Sequence, residues 1–419
     1  MIEVKYENTE EIIANKIKCK ILNLQSGDMI QIVTTIKDEN NQIWKSIYSS
    51  HADNQEFDFT IDEILRNINF EGIEKQHFFD NPGYRIFERL SKKKISTGNY
   101  TPKFMKLSDN DLILDITVKI NNENVDSKAL RYKLKNDSIS TMTIKENFVG
   151  KYFYKENEKQ PAVIVLGGSM GDLKWSEQYA SLLSNMGYNT LALSYFSFKG
   201  SNHLPRQLTG IDLEYFKEAA DWLRSRKENT GDKIGIIGLS KGAELALILG
   251  TQYTDRIKTI IAISPSSYCF EGVYLGKNKG LGSWKLKNEE LSFLQYPEKT
   301  KFSLFLEPGY LYQIHKKAIE NATNLESARI KVENIIAPAL LVSGGNDLTW
   351  PSSEMCKNMI SNNNSLHWIN YKDAGHIFTI PNIPPLLESK KQNQELCYNA
   401  NNDLWCRITS FLQQHMKEI

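Results

Sequence analysis

Ser240, Asp347 and His376 are the residues on which this sequence places its chemistry. A serine, an acid and a histidine, in that chain order, suit acyl transfer through a covalent intermediate. A hydroxyl is a poor nucleophile until a base takes its proton, and the base needs an acid to orient it. Ser240 stands in Gly238-Leu239-Ser240-Lys241-Gly242, a G-x-S-x-G run. KIGIIG before it reads as a β-branched strand, and AELALIL after it as a helix. A serine on so tight a strand-to-helix turn is forced into a strained backbone conformation, with its hydroxyl clear of the sheet. Glycines on either side remove Cβ atoms that would collide across the bend. The helix start directs free N–H groups at any negative charge that develops there, which makes the Lys241 N–H one oxyanion donor. The pentapeptide alone also fits a glycine-bounded turn with a serine cap. The strand before, the helix after and the partners downstream decide for a nucleophile.

Asp347 closes the apolar run LLVSGGND, where a strand should end, and His376 lies in NYKDAGHIF after the next strand. Asp347 would also serve as a turn or helix cap. Asp373 is the rival acid, but three residues before the histidine it is badly placed to reach the far ring nitrogen. His367 falls inside a strand and His315 inside an insertion, so neither has the loop position of His376. His203, in GSNHLPRQL, reads as an exposed loop histidine, with a pocket-lining role second. The other oxyanion donor should come from the loop Gly167-Gly168-Ser169-Met170-Gly171. Gly168 and Ser169 are the candidates, and the sequence does not choose between them.

Two kinds of segment must position these groups. Residues 1–135 read as an all-β sandwich. MIQIVTTIKD and QIWKSIYSSHAD alternate on either side of the polar turn DENNQ, a hairpin. EFDFTIDEI and DLILDITVKI read as further strands, and Asn81-Pro82-Gly83 as a turn. His51 and His77 read as structural or exposed, and Trp44 as a core anchor. Residues 136–419 change rhythm. STMTIKEN and FVGKYFYK lead in; PAVIVLGG, NTLALSYF, KTIIAIS and APALLVSGGND are buried strands. Helical stretches lie between them, and DLWCRITSFLQQHMKE reads as a terminal helix. This alternation specifies an α/β domain, a mostly parallel sheet with helices on both faces. Residues 265–333 interrupt it and read as a lid-like insertion above the strand ends.

Composition narrows the function. The chain has 419 residues, 41% hydrophobic, with a net charge of +1. No basic excess exists to neutralise phosphates, so nucleic acid is not expected as a partner. No run approaches the ~18 apolar residues of a membrane span, and MIEVKYENTE has no signal-peptide character. Five scattered cysteines without a C-x-x-C pair suit a reduced cytoplasm. Seven histidines form no metal-binding spacing, so neither metal nor cofactor is expected. GVYLGKNKG lacks the Lys-Ser/Thr pair of a phosphate loop. Lys277, Lys279, Lys285, Lys287, Lys316 and Lys317 read as a solvated face, with reception of a phosphorylated substrate tail second.

Together, GLSKGAELAL (238–247), LPRQLTGIDLEYFKEAADWL (204–223), IKVENIIAPALLVSGGNDLTWPSSEMC (330–356) and YKDAGH (371–376) resemble the acyl-CoA thioesterase / bile acid-CoA:amino acid N-acyltransferase family. SGDMIQIVTTIKDENNQIWKS (26–46) is similar to that family's N-terminal sandwich. The most specific piece is S-K-G-A-E. The resemblance implies an α/β-hydrolase domain behind a β-sandwich, acting on acyl-CoA thioesters. It places the family's nucleophile, acid and base on Ser240, Asp347 and His376. Family members carry Ser or Cys as nucleophile, and amino-acid transfer goes with Cys. The expectation is therefore a serine acyl-CoA thioesterase. Alternatives are a general carboxylesterase or peptidase on the same triad, an amino acid N-acyltransferase, and a binding protein with a vestigial hydrolase domain.

Overall fold

The computed structural model describes residues 1–7, 12–73, 102–169, 171, 173–197, 204–273, 280–297 and 307–417. The expected turn at Asn81-Pro82-Gly83, and His77, His203, Lys277 and Lys279, lie outside the described residues. Two compact units emerge. The first comprises Met1–Asn136 together with Thr379–Leu387 and Asn393–Asp403. The second comprises Asp137–Phe378, Glu388–Gln392 and Leu404–Ile419.

The first unit holds β1 (Glu3–Glu7), β2 (Lys18–Leu22), β3 (Met29–Lys37), β4 (Gln42–His51), β5 (Glu56–Thr60), α1 (Ile61–Leu65), β6 (Asn69–Ile73), β7 (Leu112–Ile120) and β8 (Glu123–Tyr132). They form antiparallel sheets ordered β1-β2-β5 and β6-β4-β3-β7-β8. Alternation dictates the facing: Ile30, Ile32 and Ile36 of β3 and Leu112, Leu114, Ile116, Val118 and Ile120 of β7 are buried. Trp44 is a core residue, edge-on to Phe70 and Phe104. EFDFTIDEI is not one strand. It turns helical at Ile61 because Glu63 accepts the Thr60 N–H at 3.0 Å, the T-x-x-E spacing of a capping box. The later pieces belong here through their own bonds. The Asn382 side-chain amide donates to the Ile13 carbonyl at 2.7 Å, and the Tyr398 hydroxyl to Asn382 Oδ1 at 3.1 Å.

The second unit runs β9 (Ile139–Ile144), β10 (Val149–Lys155), β11 (Gln160–Leu166), α2 (Lys174–Ser184), β12 (Asn189–Ser194), β13 (Ile211–Asp212), α3 (Glu214–Ser225), β14 (Asn229–Leu239), α4 (Lys241–Gln252), β15 (Ile257–Ile263), β16 (Trp284–Leu286), β17 (Glu289–Glu290), α5 (Tyr310–Glu320), α6 (Leu325–Ala328), β18 (Ala339–Gly344), α7 (Ser352–Asn362), β19 (His367–Tyr371) and, from Leu404 on, the end of α8 (Gln394–Met416). One sheet of eight strands has the order β19-β18-β15-β14-β11-β12-β10-β9. From β19 to β12 all pairings are parallel; β10 and β9 join antiparallel. Helix α2 packs on β11 and β12, α3 on β14, α4 on β14 and β15, and α7 on β18 and β19. This is the α/β-hydrolase architecture. The helix α8 begins well before the expected DLWCRITSF segment. Asn393 accepts the Leu396 N–H at 3.0 Å as a cap, and Cys397, Tyr398, Ala400, Asn401 and Leu404 bury one face of the helix.

Register fixes where the loops emerge. Leu166 pairs with Gly238, Leu239 with Ile263, Ile263 with Val342, and Gly344 with Tyr371. The loops after β11, β14, β18 and β19 therefore leave the same sheet edge side by side. The loops after β18 and β19 touch backbone to backbone. A Cβ on Gly344 would stand 2.1 Å from the Gly375 carbonyl oxygen. Gly344→Ala is expected to force these loops apart and to cost about 1–3 kcal/mol of stability. A denaturation midpoint equal to that of the unmutated protein would contradict this.

Candidate active site

Ser240 sits between β14 and α4 with φ 57° and ψ −119°. Its position follows from two close backbone contacts. A Cβ on Gly238 would stand 2.1 Å from the Gly242 carbonyl oxygen, and one on Gly242 would stand 2.4 Å from the Gly167 carbonyl oxygen. Only glycine tolerates either. The Ser240 N–H donates to the Ile263 carbonyl at 2.8 Å, which ties the turn to the neighbouring strand. Lys241 opens α4, so its N–H has no acceptor within the helix.

The three residues singled out by type and spacing converge. The Ser240 hydroxyl lies 2.7 Å from His376 Nε2, and His376 Nδ1 lies 2.8 Å from Asp347 Oδ2. All three are buried. Asp347 is held as an acceptor by the N–H groups of Thr349 (2.8 Å) and Trp350 (3.0 Å) and by the Ser352 hydroxyl (2.6 Å). With Asp347 an acceptor, Nδ1 carries the proton and Nε2 is free to accept the serine proton. Burial works to lower the His376 pKa. The charge and hydrogen bond of Asp347, with the charge of Glu388, outweigh it, so the net direction is upward from 6.5. Trp350 stands edge-on to the imidazole at 5.4 Å.

The rivals lie elsewhere. Asp373 is half-buried in the turn after β19, and Nδ1 is bonded by Asp347. His367 opens β19 and is exposed, edge-on to Phe411. His315 is buried in α5, and burial pushes its pKa down to about 4. Its Nδ1 faces the carbonyls of Leu311 and Thr349, which makes it a structural tie between the insertion and the loop of Asp347. His51 is exposed on β4. Of the oxyanion loop, Gly168 lies against the nucleophile: a Cβ there would be 3.2 Å from Ser240 Cβ. Ser169 is exposed. Tyr195 donates its hydroxyl to the Gly167 carbonyl. Because the peptide is planar and trans, this turns the Gly168 N–H to the opposite side.

Sequence reasoning missed what supports the nucleophile from below. The Lys241 ammonium donates to Glu244 Oε1 at 2.8 Å and to the Phe270 carbonyl at 3.1 Å, and the Trp284 indole N–H to the same Glu244 oxygen at 2.7 Å. Both charged side chains are buried. Burial raises the Glu244 pKa, opposed by the charge and hydrogen bond of Lys241. S-K-G-A-E thus encodes a buried ion pair, three residues apart on α4, that anchors Phe270 and Trp284 of the insertion. Glu388, which meets the loops of Asp347 and His376, was missed altogether: LLESKKQNQ carries no motif. Among the described residues no group of His, Cys, Asp or Glu is arranged to hold a metal ion.

The ion pair generates a test. Lys241→Met leaves Glu244 buried without its partner and is expected to cost about 3–5 kcal/mol of stability. Adding Glu244→Leu should recover most of that loss. Chemical denaturation of both variants decides it, and a double variant no more stable than the single one would contradict the account.

With that geometry in hand, the relatives are informative. Residues 211–418 match the family described as BAAT / Acyl-CoA thioester hydrolase C terminal. Acyl-coenzyme A amino acid N-acyltransferase 2 of Mus musculus is 24% identical, over 99% of this chain and 98% of its own. Bile acid-CoA:amino acid N-acyltransferase of Mus musculus is 23% identical, over 97% of this chain and 96% of its own. Acyl-coenzyme A thioesterase 6 of Mus musculus is 29% identical, over 61% of this chain and 60% of its own. Residues 211–418 carry the C-terminal domain of the BAAT / Acyl-CoA thioester hydrolase family, and relatives of that family match this chain over nearly its whole length.

Proposed function

We propose that the protein is a serine acyl-CoA thioesterase. The observation that carries this reading is the relay Ser240–His376–Asp347, with hydrogen bonds of 2.7 and 2.8 Å and an oxygen nucleophile. Ser240 Oγ attacks the thioester carbonyl while His376 Nε2 takes its proton. Asp347 holds the Nδ1–H and stabilises the imidazolium. The N–H of Lys241 and the Gly168–Ser169 loop receive the oxyanion. The CoA thiolate leaves and takes the proton from His376. Water, deprotonated by His376, then releases the carboxylic acid and restores the serine.

A second reading is amino acid N-acylation, favoured by the names of the two relatives that match over nearly the whole chain. The nucleophile weighs against it. An acyl-serine is an oxyester, which gives an amine little advantage over a placed water, whereas an acyl-cysteine is a thioester that amines attack readily. With an acyl-CoA and excess glycine or taurine, mass spectrometry is expected to find the free acid. Abundant N-acyl amino acid from the unmutated protein would establish the second reading. Turnover of nitrophenyl esters without release of free CoA would instead make the protein a general esterase.

Ser240→Ala is expected to remove on the order of 10⁶ in kcat. Asp347→Asn should cost on the order of 10⁴ through the wrong histidine tautomer, while Asp373→Asn should cost little. A thiol-release assay reads all three, and the reverse order for the two aspartates would move the acid. His376 acts as a base only when neutral. Since Asp347 and Glu388 raise its pKa against burial, activity should decline on acidification through a value above 6.5.

A further inference from the structure

We propose that Glu388 is a positioning residue of this site: one carboxylate that locks the loop of Asp347 to the loop of His376 and places a second negative charge beside the imidazole. Its Oε2 accepts the His376 N–H at 2.7 Å and the Leu348 N–H at 3.3 Å. Its Oε1 accepts the Thr349 hydroxyl at 2.9 Å. Thr349 is shared, since its own N–H donates to Asp347 at 2.8 Å. The two carboxylates thus bind neighbouring groups of one loop, while Glu388 alone reaches the backbone of the histidine. Both of its oxygens accept, and its charge is among those that raise the His376 pKa.

The chain is shaped around this group. A Cβ on Gly375 would stand 2.4 Å from Glu388 Oε2 and 2.6 Å from the Gln392 side-chain nitrogen. Glycine before the histidine leaves the room that the carboxylate occupies. Gln392 closes the clip: its Oε1 accepts the Glu388 N–H at 2.6 Å, and its Nε2 donates to the Asn346 carbonyl at 3.1 Å. The Glu388 residue keeps some surface exposed, but its carboxylate is turned inward onto these donors.

Among the described residues, the charges that raise the pKa of the imidazole are those of Asp347, bonded at Nδ1, and Glu388, bonded to the backbone N–H. His315 stands beyond the Trp350 ring and is kept neutral by burial, with Lys241 further lowering its pKa. Burial raises the Glu388 pKa, as does the charge of Asp347, while His376 and the donors oppose them. A carboxylate placed here against its own solvation supports the imidazolium.

The inference rests on the triad reading, and the test separates the two. Glu388→Gln keeps an oxygen for the His376 N–H and removes the charge. Glu388→Ala removes both. The rate of Ser240 labelling by a fluorophosphonate, and kcat/KM for acyl-CoA, are followed against pH. In Glu388→Gln the acid limb of both profiles should move to lower pH, with less than about tenfold lost at the optimum. Glu388→Ala should lose about 10²-fold in kcat with KM unchanged, as expected when a catalytic group is misplaced without loss of substrate contacts, and the glutamine variant should recover most of it. An unmutated protein that resists labelling at Ser240 overturns the triad and this inference with it. A labelled protein whose acid limb stays in place in Glu388→Gln overturns the Glu388 assignment alone. That variant carries the test even where the alanine variant does not fold.

Discussion

The site depends on one constraint, the close approach of backbones around Ser240. A serine at φ 57° is strained, and nothing in its own preferences keeps it there. It stays because the strand in front and the helix behind leave no room for any other path. The Gly242 carbonyl presses on Gly238, and the Gly167 carbonyl presses on Gly242. The second contact places the loop after β11 directly over the nucleophile. The same crowding that aims the hydroxyl therefore brings the oxyanion loop to it. Register then supplies the remaining groups, since the ends of β14, β15, β18 and β19 are aligned.

Polar groups buried around this edge hold it in place without contributing reacting atoms. Below the nucleophile, Lys241 and Glu244 exchange the cost of two buried charges for three directed bonds to the insertion and to each other. A hydrophobic pair in their place would pack the same volume, but it could not address the Phe270 carbonyl or the Trp284 indole. On the far side, His315 does similar work as a neutral ring, bonded at Nδ1 and facing the Tyr296 hydroxyl at 3.2 Å. The insertion is thus fastened at Phe270, Trp284 and His315 by buried polar side chains.

What the sequence revealed follows a physical pattern. Ser240, Asp347 and His376 were legible because each is tied to a strand end, and strand ends show as breaks in apolar runs. The strands β3 and β7 were legible from their alternation of buried and less buried residues. The helix after β5 was not, because TIDEI is short and its cap is a local bond invisible to periodicity. The start of α8 was hidden by Asn-rich QELCYNANN, whose propensity says turn and whose buried face says helix. The spacing of Lys241 and Glu244 allows an ion pair on one helix face, but its burial and its bonds to Phe270 and Trp284 depend on distant chain, as do the contacts of Glu388. Gly168 and Ser169 remained equivalent on paper because loop placement is a tertiary property, and the loop puts Gly168 against Ser240.

One helix belongs to two folding units at once. The part of α8 from Gln394 to Asp403, with Thr379–Leu387, belongs to the unit of the N-terminal strands, and the rest to the unit of the catalytic sheet. During synthesis the strands from Glu3 to Tyr132 are made before the sheet of the second unit, and the segments that complete their unit only after it. At about 5–20 residues per second, the nascent first unit waits on the order of tens of seconds for its final segments. Its Asn382–Ile13 and Tyr398–Asn382 bonds close a very long loop, the kind of contact that slows folding most. The order of translation therefore makes Thr379–Leu387 and Asn393–Asp403 a checkpoint for the strands made before them.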